Sequence, residues 1–133
     1  MAGVAGRMGR QLVAACVRSG HAIVGGTEMP DSPDRETDIG VLAGLADPLG
    51  LLPTSDPVEA AGVAQIWIDF TAPQATLSAL HGLRHTSVQA VVVGTTGFSA
   101  LDETQIQAAA REFAIVKAGN FSLGVTLLSA LVR

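Results

Sequence analysis

Three glycines in the first ten residues, Gly3-x-x-Gly6-x-x-Gly9, run directly into an amphipathic stretch, and few folds accommodate that succession. Met8, Leu12, Ala15, Cys16 and Ser19 recur at steps of three and four, which predicts a helix with those residues on one face. A glycine turn feeding a helix leaves backbone N–H groups pointing outward, and the helix dipole adds roughly half a positive charge there. Glycine also lets the chain turn tightly and lets a pyrophosphate approach the backbone. With 15 glycines in 133 residues, the spacing alone equally describes a turn that only packs helix on strand.

Composition narrows the choice. A hydrophobic fraction of 48% against 15% charged residues implies one domain with a large buried fraction, the profile of a parallel sheet covered on both faces. The net charge is −4 and Lys and Arg do not cluster, so the chain carries no electrostatic footprint for nucleic acid. The one cysteine, Cys16, excludes an internal disulfide and lies on the apolar helix face, as a small buried hydrophobe rather than a reactive thiol. Mean hydropathy is +0.41. No uncharged apolar run nears the roughly 20 residues of a membrane span. Arg7, Arg10 and Arg18 interrupt any leader-like segment, and the expected location is the cytoplasm.

Beyond the first helix, Ser19-Gly20 reads as a stop, and Ala22–Thr27 as a short strand ending at Glu28. Glu28 follows Gly9 by 19 residues. An acid about 20 residues past such glycines accepts hydrogen bonds from the adenosine ribose in dinucleotide folds, whereas a solvated strand-end glutamate is the plain alternative. Residues 29–56, punctuated by Pro30, Pro33, Pro48 and Pro53, read as a mobile surface loop with a short strand near Leu51-Leu52. Asp56-Pro57 opens a short helix to about Ala61. Ile66–Phe70 is a strand, and Thr71 with Gln74 forms a capping box for a helix from Pro73 to Leu83. Val88–Val93 reads as a strand buried on both faces, ending in Gly94-Thr95-Thr96-Gly97-Phe98. Ser99 and Asp102 cap a helix whose inner face is Leu101, Ile106, Ala109, Ala110 and Phe113. Ala114–Val116 is a last strand, followed by Gly119-Asn120-Phe121-Ser122.

The alternation of strands and helices with short connections predicts a doubly wound, Rossmann-like α/β domain with a parallel sheet. Ligands bind outside the carboxyl ends of such strands. The glycine loop, Glu28, Asp69-Phe70-Thr71, Gly94–Phe98 and Gly119–Ser122 all fall at that edge.

Four blocks in series carry a resemblance: Ala2–Arg10, Ile68-Asp69-Phe70-Thr71-Ala72-Pro73, Val93–Phe98 and Ala118–Val125. Together they resemble the 4-hydroxy-tetrahydrodipicolinate (dihydrodipicolinate) reductases over essentially the whole chain. The resemblance implies an enzyme of the diaminopimelate route to lysine that reduces a hydroxylated cyclic imine dicarboxylate to tetrahydrodipicolinate with NADH or NADPH. Carried over by residue, Gly3, Val4, Ala5, Gly6, Arg7 and Met8 would hold the pyrophosphate and Glu28 the adenosine ribose. Gly94, Thr95, Thr96, Ala118, Gly119, Asn120 and Phe121 would line the nicotinamide end. Plainer roles stand beside these: Thr95 and Thr96 satisfying turn backbone, Phe121 as core, Asp69 as a helix cap. His21, His81 and His85 match no metal-ligand spacing, and no metal site is expected.

The chain departs from the family pattern at both ends. Only Met1 and Ala2 stand where relatives have an apolar strand, so the first strand is expected to be largely missing and the domain destabilised. Residues 1–122 are assigned to the dinucleotide-binding domain and 123–133 to the start of a helix leading to the family's substrate and tetramer-forming domain. No catalytic residue is expected within the chain, since the family's His- and Lys-rich motif has no counterpart here, so these residues alone should not turn over substrate. The partners are a nicotinamide dinucleotide and, in the full-length enzyme, a small dicarboxylate and a homotetramer. Met29-Pro30 follows Glu28 where many relatives have an arginine, which predicts a preference for NADH. Other readings are the nucleotide domain of another oxidoreductase, such as an aspartate or homoserine dehydrogenase relative, or a non-catalytic dinucleotide-binding module.

Overall fold

A computed structural model of the chain describes residues 1–119. Helix α1 (Arg7–Arg18) starts at Gly6 and stops in a Schellman motif. The N–H of His21 donates to Cys16 O at 2.9 Å and that of Gly20 to Val17 O at 3.0 Å. Gly20 takes the left-handed conformation this ending needs, φ +79°.

The inner face of α1 is turned by about one residue from the expected stripe. Gly9 and Val13 are buried, with Leu12 and Cys16 packed alongside, whereas Met8 and Ser19 are exposed. Close approach of Gly9 to the preceding loop sets this rotation.

Residues 29–56 contain more order than their prolines suggest. A 3₁₀ turn (Pro33–Glu36) precedes α2 (Ile39–Leu42), and no strand forms at Leu51-Leu52. Asp38 organises the segment. Its Oδ1 accepts from the N–H groups of Gly40 (2.7 Å), Val41 (3.2 Å) and Leu49 (2.9 Å), and its Oδ2 from Leu51 (2.9 Å). One carboxylate thus caps α2 and ties it to a chain segment a dozen residues on, seating Ile39 in the core.

Helix α3 (Pro57–Ala61) is capped by Asp56, whose side chain accepts from Val58 N. Strand β1 (Ile66–Asp69), helix α4 (Pro73–Leu83), strand β2 (Ala90–Val93), helix α5 (Ala100–Ala109) and strand β3 (Ala114–Lys117) follow. Both α4 boundaries fall where expected, but Ala72 occupies the cap position without a side-chain bond. The Thr71 hydroxyl donates to Asp69 instead, so the expected capping box does not form. The box at α5 does form, between Ser99 and Asp102. Leu101 and Ala110 lie outside the inner face of α5, which is Ile106, Ala109 and, beyond the helix end, Phe113.

The strands are parallel, in order β1-β2-β3, with Ile66, Ala90 and Ala114 in register. Beyond β1 the layer continues through single residues. Ala2 N–H donates to Ile68 O at 2.9 Å, Ala2 bridges Thr27, and Thr27 bridges Thr54. From one edge the order is therefore the third, second and first segments, then β1, β2 and β3, which is the doubly wound arrangement. The expected strand Ala22–Thr27 is reduced to the Thr27 bridge. Along it Thr27 N–H donates to Met1 O at 2.9 Å and Val4 N–H donates to Thr27 O at 3.1 Å.

Trp67, Val91 and Val93 project onto α4 and α5 and form one core with Leu80, Leu83, Ile106 and Phe113. Val4, Val13, Ile39 and Met1 form the other, against α1 and Ile68. β2 is not buried on both faces as expected. Its burial alternates, and on that second face the flanking Ile66 and Val116 are 57% and 58% exposed. At the amino edge, an apolar cleft of about 490 Å³ opens between Ile23–Gly25 and Val63–Ile66.

Desolvation opposes the charge on Asp38, but the N–H donors of Leu49, Leu51, Val41 and Gly40 outweigh it and hold the carboxyl at about 2, below the ordinary 3.8. A depressed pKa stabilises the fold fully above about pH 4, and the contribution is lost as pH falls through about 2. Asp38→Asn should lower the melting temperature by a few degrees at pH 7. Melting curves taken between those limits should show its gap to the unsubstituted chain closing.

Candidate functional site

The carboxyl ends of the first segment and β1 diverge at the point where the strand order reverses, and the conspicuous residues collect around that crevice. One wall is the glycine loop. Gly3 has φ +62°, and its carbonyl accepts from Gly6 N–H at 3.1 Å. A Cβ on Gly9 would stand 2.0 Å from Gly3 O and 2.8 Å from Val4 Cα, so only glycine lets α1 begin this close to the loop. The first-turn N–H groups of α1 lack intrahelical acceptors, and no acidic side chain occupies that turn. Arg10 Nε donates to Ala5 O at 2.6 Å, and its Nη2 reaches Asp34 Oδ2 at 3.5 Å, bracing the loop from behind. Val4 is a buried scaffold residue, whereas Gly6, Arg7 and Met8 are exposed at the helix start.

Glu28 forms the rim beside this loop. Its Oε2 accepts from Ala5 N–H and its Oε1 from Met29 N–H, both at 3.0 Å. The two contacts fix the carboxylate at the mouth of the glycine turn, and each oxygen keeps a further lone pair for a hydroxyl donor.

The opposite wall is built around Asp69, which is 1% exposed. Its Oδ1 accepts from Thr71 N–H (3.2 Å), Thr71 Oγ1 (2.6 Å) and Thr95 Oγ1 (3.2 Å). Thr76 Oγ1 stands 3.0 Å from the same oxygen and 2.9 Å from Thr95 Oγ1. Trp67 Nε1 donates to Oδ2 at 3.4 Å, and Thr71 N–H also reaches Thr95 Oγ1 at 2.9 Å. Asp69 therefore joins the end of β1, the start of α4 and the turn after β2. Phe70 covers that turn so closely that a Cβ on Gly94 would lie 2.0 Å from its ring.

The predicted residues divide accordingly. Gly3, Val4, Ala5, Gly6, Arg7, Met8 and Glu28 come together on one side. Gly94, Thr95 and Thr96 come together on the other. Thr95 is 3% exposed with its side chain in the Asp69 cluster, while Gly94 is half-buried and Thr96 is exposed. Ala118 is tied to β2 through its N–H and Val93 O at 3.2 Å, and Gly119 is exposed. Asn120 and Phe121 lie outside the described residues. Asp69 was readable in sequence only as a possible helix cap. An acid at a strand end with threonines two and seven residues on, and a third at the next strand end, is the signal that marks it as a hub.

His21, His81 and His85 are exposed and lie towards the opposite edge, where α1 and α4 end. Among the described residues no cluster of His, Cys, Asp or Glu could hold a metal ion, and no helix is long and apolar enough to cross a membrane.

A parallel sheet with this strand order, a glycine-to-helix turn at its switch point and an acid on the rim define a Rossmann-like, doubly wound α/β domain. Residues 1–121 match the family model for the N-terminus of dihydrodipicolinate reductase, and the chain belongs to that family. It is 49% identical over 132 residues to the 4-hydroxy-tetrahydrodipicolinate reductase of Parvibaculum lavamentivorans, covering 98% of this chain and 48% of the relative. Reductases of the same name from Dinoroseobacter shibae and Sinorhizobium fredii are 47% and 46% identical, with the same shares covered. The chain thus spans about half the length of the curated relatives it matches.

Gly9→Ala drives a methyl into backbone that cannot yield. It should destabilise the domain by about 2 kcal/mol or more. Gly6→Ala meets Gly3 O at 3.3 Å, which a small shift relieves. Thermal melting of the two variants should separate clearly, with Gly9→Ala the lower.

Proposed function

We propose that this chain is the nicotinamide-dinucleotide-binding half of a 4-hydroxy-tetrahydrodipicolinate reductase acting in lysine biosynthesis, with residues 1–122 forming the binding domain. The observation that carries this reading is the Glu28 carboxylate held on the Ala5 and Met29 amides at the mouth of the glycine turn. A fixed acceptor there suits the ribose hydroxyls, and the first turn of α1 beside it suits a pyrophosphate. The described residues fit the group: Gly3 to Met8 around the phosphates, Glu28 on the ribose, and Gly94–Thr96 with Ala118 and Gly119 at the nicotinamide. Asn120 and Phe121, assigned to the same end, lie outside the described residues.

The bound nicotinamide supplies the hydride that reduces the imine carbon of the substrate. This chain's part is positioning. The α1 N–H groups would neutralise the phosphates, and backbone groups of Gly94–Thr96 would orient the carboxamide. The described histidines sit away from this edge, so no residue described here is assigned the proton. The dicarboxylate substrate and a homotetramer belong, in this reading, to the full-length enzyme, and its location is the cytoplasm.

NADH is the preferred cofactor in this proposal. Met29 and Pro30 follow Glu28, so an added 2′-phosphate meets a carboxylate with no arginine next to it in sequence. Arg35 is the nearest qualification, because its Nη1 folds back onto Pro30 O at 3.1 Å. In side-by-side titrations of the full-length protein, NADH should bind about tenfold more tightly than NADPH. Arg35→Ala should widen the gap by weakening NADPH alone. Equal or tighter binding of NADPH would contradict the preference, and binding of neither would contradict the function.

A further inference from the structure

We propose that Asp69 is a positioning residue for the nicotinamide end of the cofactor, acting through Thr95; the proposal rests on the dinucleotide-binding reading above. Asp69 touches no ligand position itself. It is buried, and its side-chain contacts are all to protein donors. What it controls is the turn after β2. The Thr95 hydroxyl donates to Asp69 Oδ1 at 3.2 Å while accepting from Thr71 N–H at 2.9 Å, so the Thr95 side chain can point only inward. Asp69 O also accepts from Gly94 N–H at 2.8 Å, fixing the residue before. With both held, the backbone of the Gly94–Thr96 turn has one orientation, and Thr96 is its exposed residue.

The chemistry of the cluster makes the carboxylate, rather than any polar group of its size, the required hub. Hydroxyl and amide donors converge on Oδ1 and an indole N–H on Oδ2. An asparagine of the same shape must turn its NH₂ either towards the indole or towards the threonines, and each choice sets donor against donor. Towards the glycine loop across the crevice the cluster presents a methyl group: a Cβ on Gly3 would stand 3.0 Å from Thr71 Cγ2. Disturbing Asp69 therefore acts on one end of the crevice.

ADP-ribose, which lacks the nicotinamide, separates the two ends. In the full-length protein, Asp69→Asn and Thr95→Val should each weaken NADH binding about tenfold and abolish the emission enhancement of bound NADH, with ADP-ribose affinity kept within about twofold. Thr95→Ser, which retains the hydroxyl, should recover the NADH affinity that Thr95→Val loses. A parallel loss of ADP-ribose affinity in both variants would make the cluster merely structural and overturn the proposal, as would unchanged NADH binding. An unsubstituted protein that binds neither nucleotide removes the underlying reading itself.

Discussion

The site depends on the contact between Gly9 and the carbonyl of Gly3. Because no side chain separates them, the first turn of α1 begins directly above the loop that leaves the first segment. Three consequences follow from that one approach. The N–H groups of the turn open onto the crevice. Val4 and Val13 meet in the core beneath it. The helix is rotated so that Gly9, and not Met8, faces inward, which leaves Met8 exposed at the helix start.

Around this fixed point the two walls are stiffened by different means. On the glycine side a partly exposed carboxylate, Glu28, accepts from backbone amides and keeps capacity for further donors. On the other side a fully buried carboxylate, Asp69, has donors on both oxygens. An isolated buried carboxylate is costly to desolvate, and donors to a charged group offset that cost by roughly 1.5–3 kcal/mol each. Asp38 does comparable work in the 29–56 segment with backbone donors alone. Carboxylates thus set the loops that helices and strands leave undefined, and each ties together chain segments distant in sequence.

That division explains what the sequence disclosed. Local chemistry was legible: the α4 boundaries, the Asp56 and Ser99 caps and the glycine turn follow from neighbours within a few residues, and Glu28 was marked by its spacing of 19 residues from Gly9. The order contributed by Asp38 was not, because the partners Leu49 and Leu51 are 11 and 13 residues away and carry their information in backbone N–H groups. The Thr71–Gln74 capping box failed for a related reason. A stronger acceptor, the Asp69 carboxylate, competes for the Thr71 hydroxyl, and only the folded arrangement reveals it. The nearly continuous apolar run Val88–Val93 likewise suggested a doubly buried β2, but whether a second layer covers a strand is a tertiary fact.

The two edges of the sheet show how stability and ligand chemistry are kept apart. At the amino edge the helices end in backbone-satisfied motifs or exposed histidines, and the cleft there is lined mainly by apolar side chains. At the carboxyl edge the glycine loop, Glu28 and the turn at Gly94–Thr96 present backbone groups and fixed charge. Parallel strands make this separation automatic, since every strand delivers its following loop to the same side. Glycines and carboxylates are then needed only at that side, to bring the loops close and hold them. The placement of Gly3, Gly9, Glu28, Asp69 and Gly94 is the direct result.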